Sequence, residues 1–194
     1  MIDVAHRRLV LAERAWPRDG LLRDVVLIIG GALLTALCSQ IQIPLQPVPI
    51  TGQTFGVLLV GALLGGRRGA VSMFAYVAMG GLGLPVFAGG AAGLSRMAGP
   101  TAGYLVGFVA AAALVGSLSR RGWDRRVATT ALAMALGSLT IYIFGVAWLS
   151  RFVGWSWVFA AGVAPFLVGD SLKLALAAIA LPWAWKLLGE HDAT

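Results

Sequence analysis

The sequence predicts an all-α integral membrane protein, one bundle of six transmembrane helices. Three observations predict it. Of 194 residues, 59% are hydrophobic, another 26 are glycine, and only 12% carry charge, about half the ~25% of a soluble chain. The charges avoid long runs: 25–66, 69–95, 97–119, 127–150 and 152–169 contain none. Those runs are continuously apolar, without the two-residue alternation of a membrane-spanning strand, which argues against a β-barrel. A soluble globular enzyme and a disordered chain are excluded by the same composition, and a single Cys excludes a disulfide framework. The length leaves one membrane domain, 1–194.

About 20 apolar residues rising 1.5 Å each cross a hydrocarbon core of ~30 Å. The basic segment 1–23 precedes the first such stretch. It is followed by a long apolar helix with no clear cleavage site, and so reads as part of a retained anchor, either a short amphipathic helix on the leaflet or a basic tail. The first helix covers 24–41. Pro44, Pro47 and Pro49 then break the longest run, because proline lacks an N–H and disfavours helix at the residue before it. The second helix covers 50–66, the third 69–84, the fourth 100–119, the fifth 126–149 and the sixth 165–188. The third is short and stops at Leu84-Pro85. Pro49, Gly52 and Gly56 open the second helix with the spacing that Pro100, Gly103 and Gly107 give the fourth. That pattern reads first as close helix packing and second as an internal echo.

The net charge of +7 is a topology signal. Twelve of the 15 basic residues fall in alternate segments: Arg7, Arg8, Arg14, Arg18 and Arg23; Arg67 and Arg68; Arg120, Arg121, Arg125 and Arg126; Lys186. The positive-inside rule places these segments, and both termini, in the cytoplasm, with the chain multi-pass in the inner (plasma) membrane. The surplus is therefore assigned to the lipid bilayer and not to nucleic acid. His6 and His191 lie outside the spans and Cys38 reads as a small core residue, so no metal site is expected.

Segments 43–51 and 85–99 are nearly uncharged, and both fall on the outer face. Irregular backbone at membrane depth is tolerated where it is buried in protein or lines a cavity, and such interruptions point to a binding site. The two segments form either an outward-opening pocket or a pair of apolar plugs. Asp170 and Lys173 lie in the last helix, where an ionisable residue costs at least ~2.5–3.5 kcal/mol to insert. Three positions apart, they share a face and can pair. The pair either cements the bundle or serves a site, and Asp170, about 7–8 Å along the axis from Pro165, sits at the depth of the two loops. Arg96 is either a snorkelling loop charge or a clamp for a carboxylate. Gln53, Thr51 and Tyr104 supply uncharged polar groups, and Phe87 an apolar wall. The set suits a small anion with an apolar middle and an amide-like end.

Several runs resemble a known family. Pro47-Val48-Pro49-Ile50-Thr51-Gly52-Gln53-Thr54, Gly83-Leu84-Pro85-Val86-Phe87-Ala88-Gly89-Gly90, the stretch from Gly99 through Pro100, Thr101, Ala102, Gly103 and Tyr104 to Phe108, and Gly169-Asp170-x-x-Lys173 are similar, in order, to motifs of the BioY family. These are the biotin-specific S components of energy-coupling-factor transporters. The resemblance implies an S-component-like bundle, biotin capture from outside, and assembly with a transmembrane coupling protein (T component) and a pair of ATPases. It implies that Asp170 and Lys173 contact the ureido ring, that Arg96 faces the valerate carboxylate, and that Gly103 belongs to the substrate-binding set. It also implies that Ala32 and Ala36 form a flat docking patch, a spacing that packing within the monomer explains equally well. Biotin is then cargo, and no cofactor is expected. The chain has no phosphate-loop motif, since Gly65-Gly66-Arg67-Arg68-Gly69 lacks the lysine and spacing, so ATP hydrolysis belongs to partners. The alternatives are an S component for another small vitamin, a scaffold held by its ion pair, and an intramembrane enzyme using Asp170. Against the last, the spans lack a His, a metal cluster or a nucleophile–base set. Self-association is left open.

Overall fold

Glycine and proline punctuation divides the apolar runs into nine helices among the residues described, 9–189 of the computed structural model. They are α1 (Leu11–Ala15), α2 (Leu21–Gln40), α3 (Gln53–Leu64), α4 (Gly66–Gly81), α5 (Leu94–Ala98), α6 (Ala102–Ser119), α7 (Val127–Val153), α8 (Trp155–Gly162) and α9 (Leu167–Leu187). Two short strands, β1 (Gln42–Ile43) and β2 (Ile50–Thr51), pair antiparallel around the three prolines, with Gln42 opposite Thr51. His6 and His191 lie outside the described residues.

Among the described residues, four stretches are long and apolar enough to cross a bilayer: Leu21–Gln40, Ala102–Ser119, Val127–Val153 and Trp155–Leu187. Each predicted helix has a counterpart, with shifted ends. The second loses its start to β2 and its end to Gly65, whose φ of 81° is a left-handed conformation open to glycine. This one residue turns α3 into α4, so Arg67 and Arg68 lie in the first turn of a helix and not in a loop. The fifth helix runs on to Val153, and α8, which the sequence reading did not separate, precedes a Pro165 turn into α9.

The buried centre is α6, packed against α3, α4 and α7. Small residues permit the approach: a side chain at Gly61 would collide with the Ala112 backbone, and one at Gly107 would crowd that of Ile141. Val57, Val60, Met73, Tyr76, Phe108, Val115, Met134 and Ile141 fill the core. The outside is also apolar: Val26, Ile29, Leu33 and Leu37 on α2, and Val168, Leu172, Ile179 and Trp183 on α9, are exposed, as a surface solvated by lipid tails requires. Ala32 and Ala36 are on the other face of α2, buried in the core cluster where α2 meets α3 and α4. The small-residue patch expected to meet a coupling protein is thus filled by the chain's own helices.

At the end remote from the prolines, α1 is tied down. Val10 and Leu11 are buried, and Glu13 accepts from Arg68 (2.7 Å) and Arg120 (2.7 Å), while Arg68 also reaches Asp24 (2.9 Å). One carboxylate thereby joins α1, α4 and the end of α6. Burial pushes the Glu13 carboxyl up, but hydrogen bonds from Arg120, the Val10 N–H and Arg68 outweigh it and hold it below its ordinary 4.5. The basic N-terminal segment therefore carries a docked helix. On the same end, Trp185 Nε1 donates to buried Asp124 (2.8 Å) and Arg125 stacks on the Trp185 ring at 4.4 Å, fixing the α6–α7 turn to the close of α9.

Candidate functional site

The opposite end encloses a cavity of about 270 Å³. Its walls are the proline loop between β1 and β2, the segment 85–93, and α3, α5, α6, α7 and α9. The two loops are held differently. Segment 85–93 is pinned from beneath: Ser39 donates to the Val86 carbonyl (2.8 Å), Tyr76 Oη to the same carbonyl (3.0 Å), Gln40 Nε2 to that of Phe87 (3.3 Å), and Gly90 N–H to Gln40 Oε1 (3.1 Å). Gly89 and Gly90, at φ 66° and 70°, make the left-handed turn that brings it back. The ring of Phe87 meets Tyr76 edge-on, centroids 5.5 Å apart, and faces the cavity as the predicted apolar wall. The proline loop is held by its strand pairing, by the buried Val48 side chain and by a bond to α9.

That bond comes from Lys173. Its ammonium donates to the Thr51 carbonyl (2.7 Å), Thr54 Oγ1 (2.9 Å) and Asp170 Oδ1 (2.8 Å), which uses all three of its protons. Asp170, 8% exposed, also receives Thr54 Oγ1 on Oδ1 (3.1 Å) and the Tyr142 hydroxyl on Oδ2. Three helices therefore converge on one carboxylate. Next to it, Thr51 Oγ1 donates to Gln53 Oε1 (2.9 Å) and Gln53 Nε2 donates to Tyr76 (2.6 Å), which continues the network into the support of segment 85–93.

Asp170, Lys173, Gln53, Thr51, Phe87, Tyr104 and Arg96 all line the one cavity. Tyr104 does so with its ring, because its hydroxyl is committed to the Gly162 carbonyl (2.8 Å) at the end of α8. Arg96, on α5, is exposed at the rim; among the described residues no hydrogen bond or ion pair engages its guanidinium. Gly103 is not among the lining residues. It faces α7, where a side chain would strike the Phe144 carbonyl and Trp148, so its work is helix packing. Sequence reasoning missed Tyr142 as a site residue and quoted Thr54 only within a motif. The sequence offered no distinct signal for Tyr142, since α7 carries other hydroxyls at Thr129, Thr130, Ser138, Thr140 and Ser150.

An apolar-surfaced helical bundle whose polar side chains converge on one solute-sized cavity is a membrane-embedded small-molecule-binding protein. A buried acceptor cluster and, among the described residues, an unpaired cation at the rim are chemistry that suits a ligand with donors at one point and negative charge at another. The chain belongs to the BioY family, whose model matches residues 8–190. It is 40% identical over 157 residues to a probable biotin transporter BioY of Pyrococcus horikoshii, covering 81% of this chain and 93% of that one. To the biotin transporter BioY of Rhizobium etli it is 37% identical over 168 residues, 81% and 90% of the two chains. Its fold matches a 2.1 Å crystal structure of the S-component for biotin from an ECF-type ABC transporter, with a TM-score of 0.71 over 85% of this chain and 92% of that one, at 23% identity.

Proposed function

We propose that this chain captures biotin and serves as the substrate-specific subunit of an energy-coupling-factor importer. The observation that carries the reading is the cavity itself: an acceptor on Asp170 for a ureido N–H, the apolar faces of Phe87, Phe108 and Phe166 for the thioether ring and tail, and free Arg96 for the carboxylate. The relatives are transporters, which favours a transport subunit over an enzyme using Asp170. Biotin is cargo here, not cofactor. A T component and two ATPases supply the energy, in keeping with the missing phosphate loop.

Six helical passes, α2, α3, α4, α6, α7 and α8–α9, span the inner membrane in this reading. Charge supports it. The cavity end carries Arg96 and Arg151, and the remote end carries Arg18, Arg68, Arg120, Arg126 and Lys186 among others, so the cavity opens outward and both termini are cytoplasmic. Titration calorimetry of the purified chain in detergent tests the reading. Saturable one-to-one binding of biotin is expected, with a large loss in Asp170→Asn, read on folded monodisperse protein because leaving the part-buried Lys173 without its counter-ion also lowers the melting temperature. Absence of biotin binding by the unaltered chain sinks it.

A further inference from the structure

We infer that Tyr142 is a positioning residue for ligand selection: its hydroxyl holds the one open lone-pair direction of Asp170 toward the cavity, as an acceptor reserved for a ligand N–H. The inference rests on the biotin reading above. A carboxylate offers about four lone-pair sites. On Asp170, Lys173 and Thr54 occupy Oδ1 and Tyr142 occupies one site on Oδ2, so a single site remains, on Oδ2.

Tyr142 comes from α7 and Asp170 from the first turn of α9, while Lys173 and Thr54 approach the other oxygen from α9 and α3. With donors on both oxygens, the carboxylate cannot rotate without breaking a charge-assisted bond. The Tyr142 proton is itself spent on Asp170, so what the hydroxyl shows the cavity is also acceptor. Both residues line that cavity, and the Tyr142 ring is itself braced by Phe166, centroids 6.5 Å apart. A ligand that presents a carbonyl, an ether or an N-alkyl group at this point meets acceptors with nothing to give, and leaving them unpaired is costly in a buried site. A ligand N–H is accepted.

The test measures biotin and its two ureido N-methyl derivatives against the unaltered chain, Tyr142→Phe, Asp170→Asn and the double variant. Phenylalanine keeps the ring and removes only the hydroxyl. In Tyr142→Phe, biotin affinity should fall about tenfold or more, the worth of one hydrogen bond to a charged group, while affinity for one of the N-methyl derivatives barely changes, so that discrimination collapses. In the Asp170→Asn background, the same Tyr142→Phe change should have little further effect. Equal losses for biotin and both derivatives, or losses that multiply in the double variant, would show a packing role only and overturn the inference. An unchanged biotin affinity in Tyr142→Phe overturns it too, while leaving the biotin reading intact. If the unaltered chain binds no biotin, the functional reading falls first and this one with it.

Discussion

The Lys173 ammonium on α9 donates to the Thr51 carbonyl of β2 at 2.7 Å, so the side chain that pairs with Asp170 also ties the proline loop to the helix beneath the cavity. Lys173→Met keeps the apolar stem and removes every one of those bonds. Asp170 is then a buried carboxylate without its cation, a change that costs about 3 kcal/mol. The expected outcome is a melting temperature lower by several degrees and faster amide exchange at Gly52, whose N–H bonds the Ile41 carbonyl. Adding Asp170→Asn to Lys173→Met should recover much of the stability and none of the biotin binding. If the single change leaves amide exchange in 50–52 untouched, Lys173 does not hold the loop.

Arg96 is exposed, so its contribution is screened and modest. Arg96→Gln should weaken biotin roughly fivefold in low salt, less in high salt, and leave biotin methyl ester unaffected. Calorimetry with acid and ester, at two ionic strengths, reads this directly. Equal effects on acid and ester would remove Arg96 from the carboxylate.

Asp170 and Lys173 were legible in the sequence because a charge inside an apolar helix has few structural excuses. The loops were legible through their missing charge. Tyr142 was not: one tyrosine in a long apolar run reads as packing, and its meaning depends on facing Asp170, 28 positions later, across an interhelical contact. The Ala32–Ala36 spacing marks a face that admits close approach but does not say which neighbour fills it, and α3 with α4 do. Helix boundaries slipped where the cue was chemical and not apolar. Gly65 reverses the chain without a polar loop, so Arg67-Arg68 marks the start of a helix, and α8 is hidden because the run from 152 to 169 is uncharged on both sides of its breaks.

Glu13 makes stability pH-dependent at the end remote from the cavity. Its carboxyl lies below its ordinary 4.5 in the folded chain, so the unfolded chain binds its proton first as pH falls. The stabilisation is then complete above about pH 6 and disappears as pH drops through the lowered folded value. Glu13→Gln should lower the melting temperature at neutral pH, corresponding to about 2 kcal/mol for lost charge-assisted bonds, and the gap to the unaltered chain should close in acid. A gap that persists unchanged well below pH 4.5 would mean that the Arg68–Glu13–Arg120 cluster is not what binds α1.

Gly103 and Gly30 separate packing from propensity. A side chain at Gly103 would meet the Phe144 carbonyl oxygen and Trp148 Cβ, and a helix backbone has nowhere to retreat, so Gly103→Ala must force α6 away from α7. Overpacking of this kind costs about 1–3 kcal/mol. The shift also reaches the site, since Tyr104 is the next residue, Trp148 bonds the Gly99 carbonyl at 2.9 Å, and Tyr142 rides on the same helix as Phe144. Gly30 is equally interior to a helix, but nothing lies within 4 Å of where its side chain would be. There alanine brings only its better helix propensity, worth up to about 1 kcal/mol. Gly103→Ala should therefore lower both the melting temperature and biotin affinity, while Gly30→Ala holds or raises the first and leaves the second unchanged. Parallel melting and calorimetry of the two variants decide it, and loss of stability without loss of affinity in Gly103→Ala would uncouple the α6–α7 contact from the cavity.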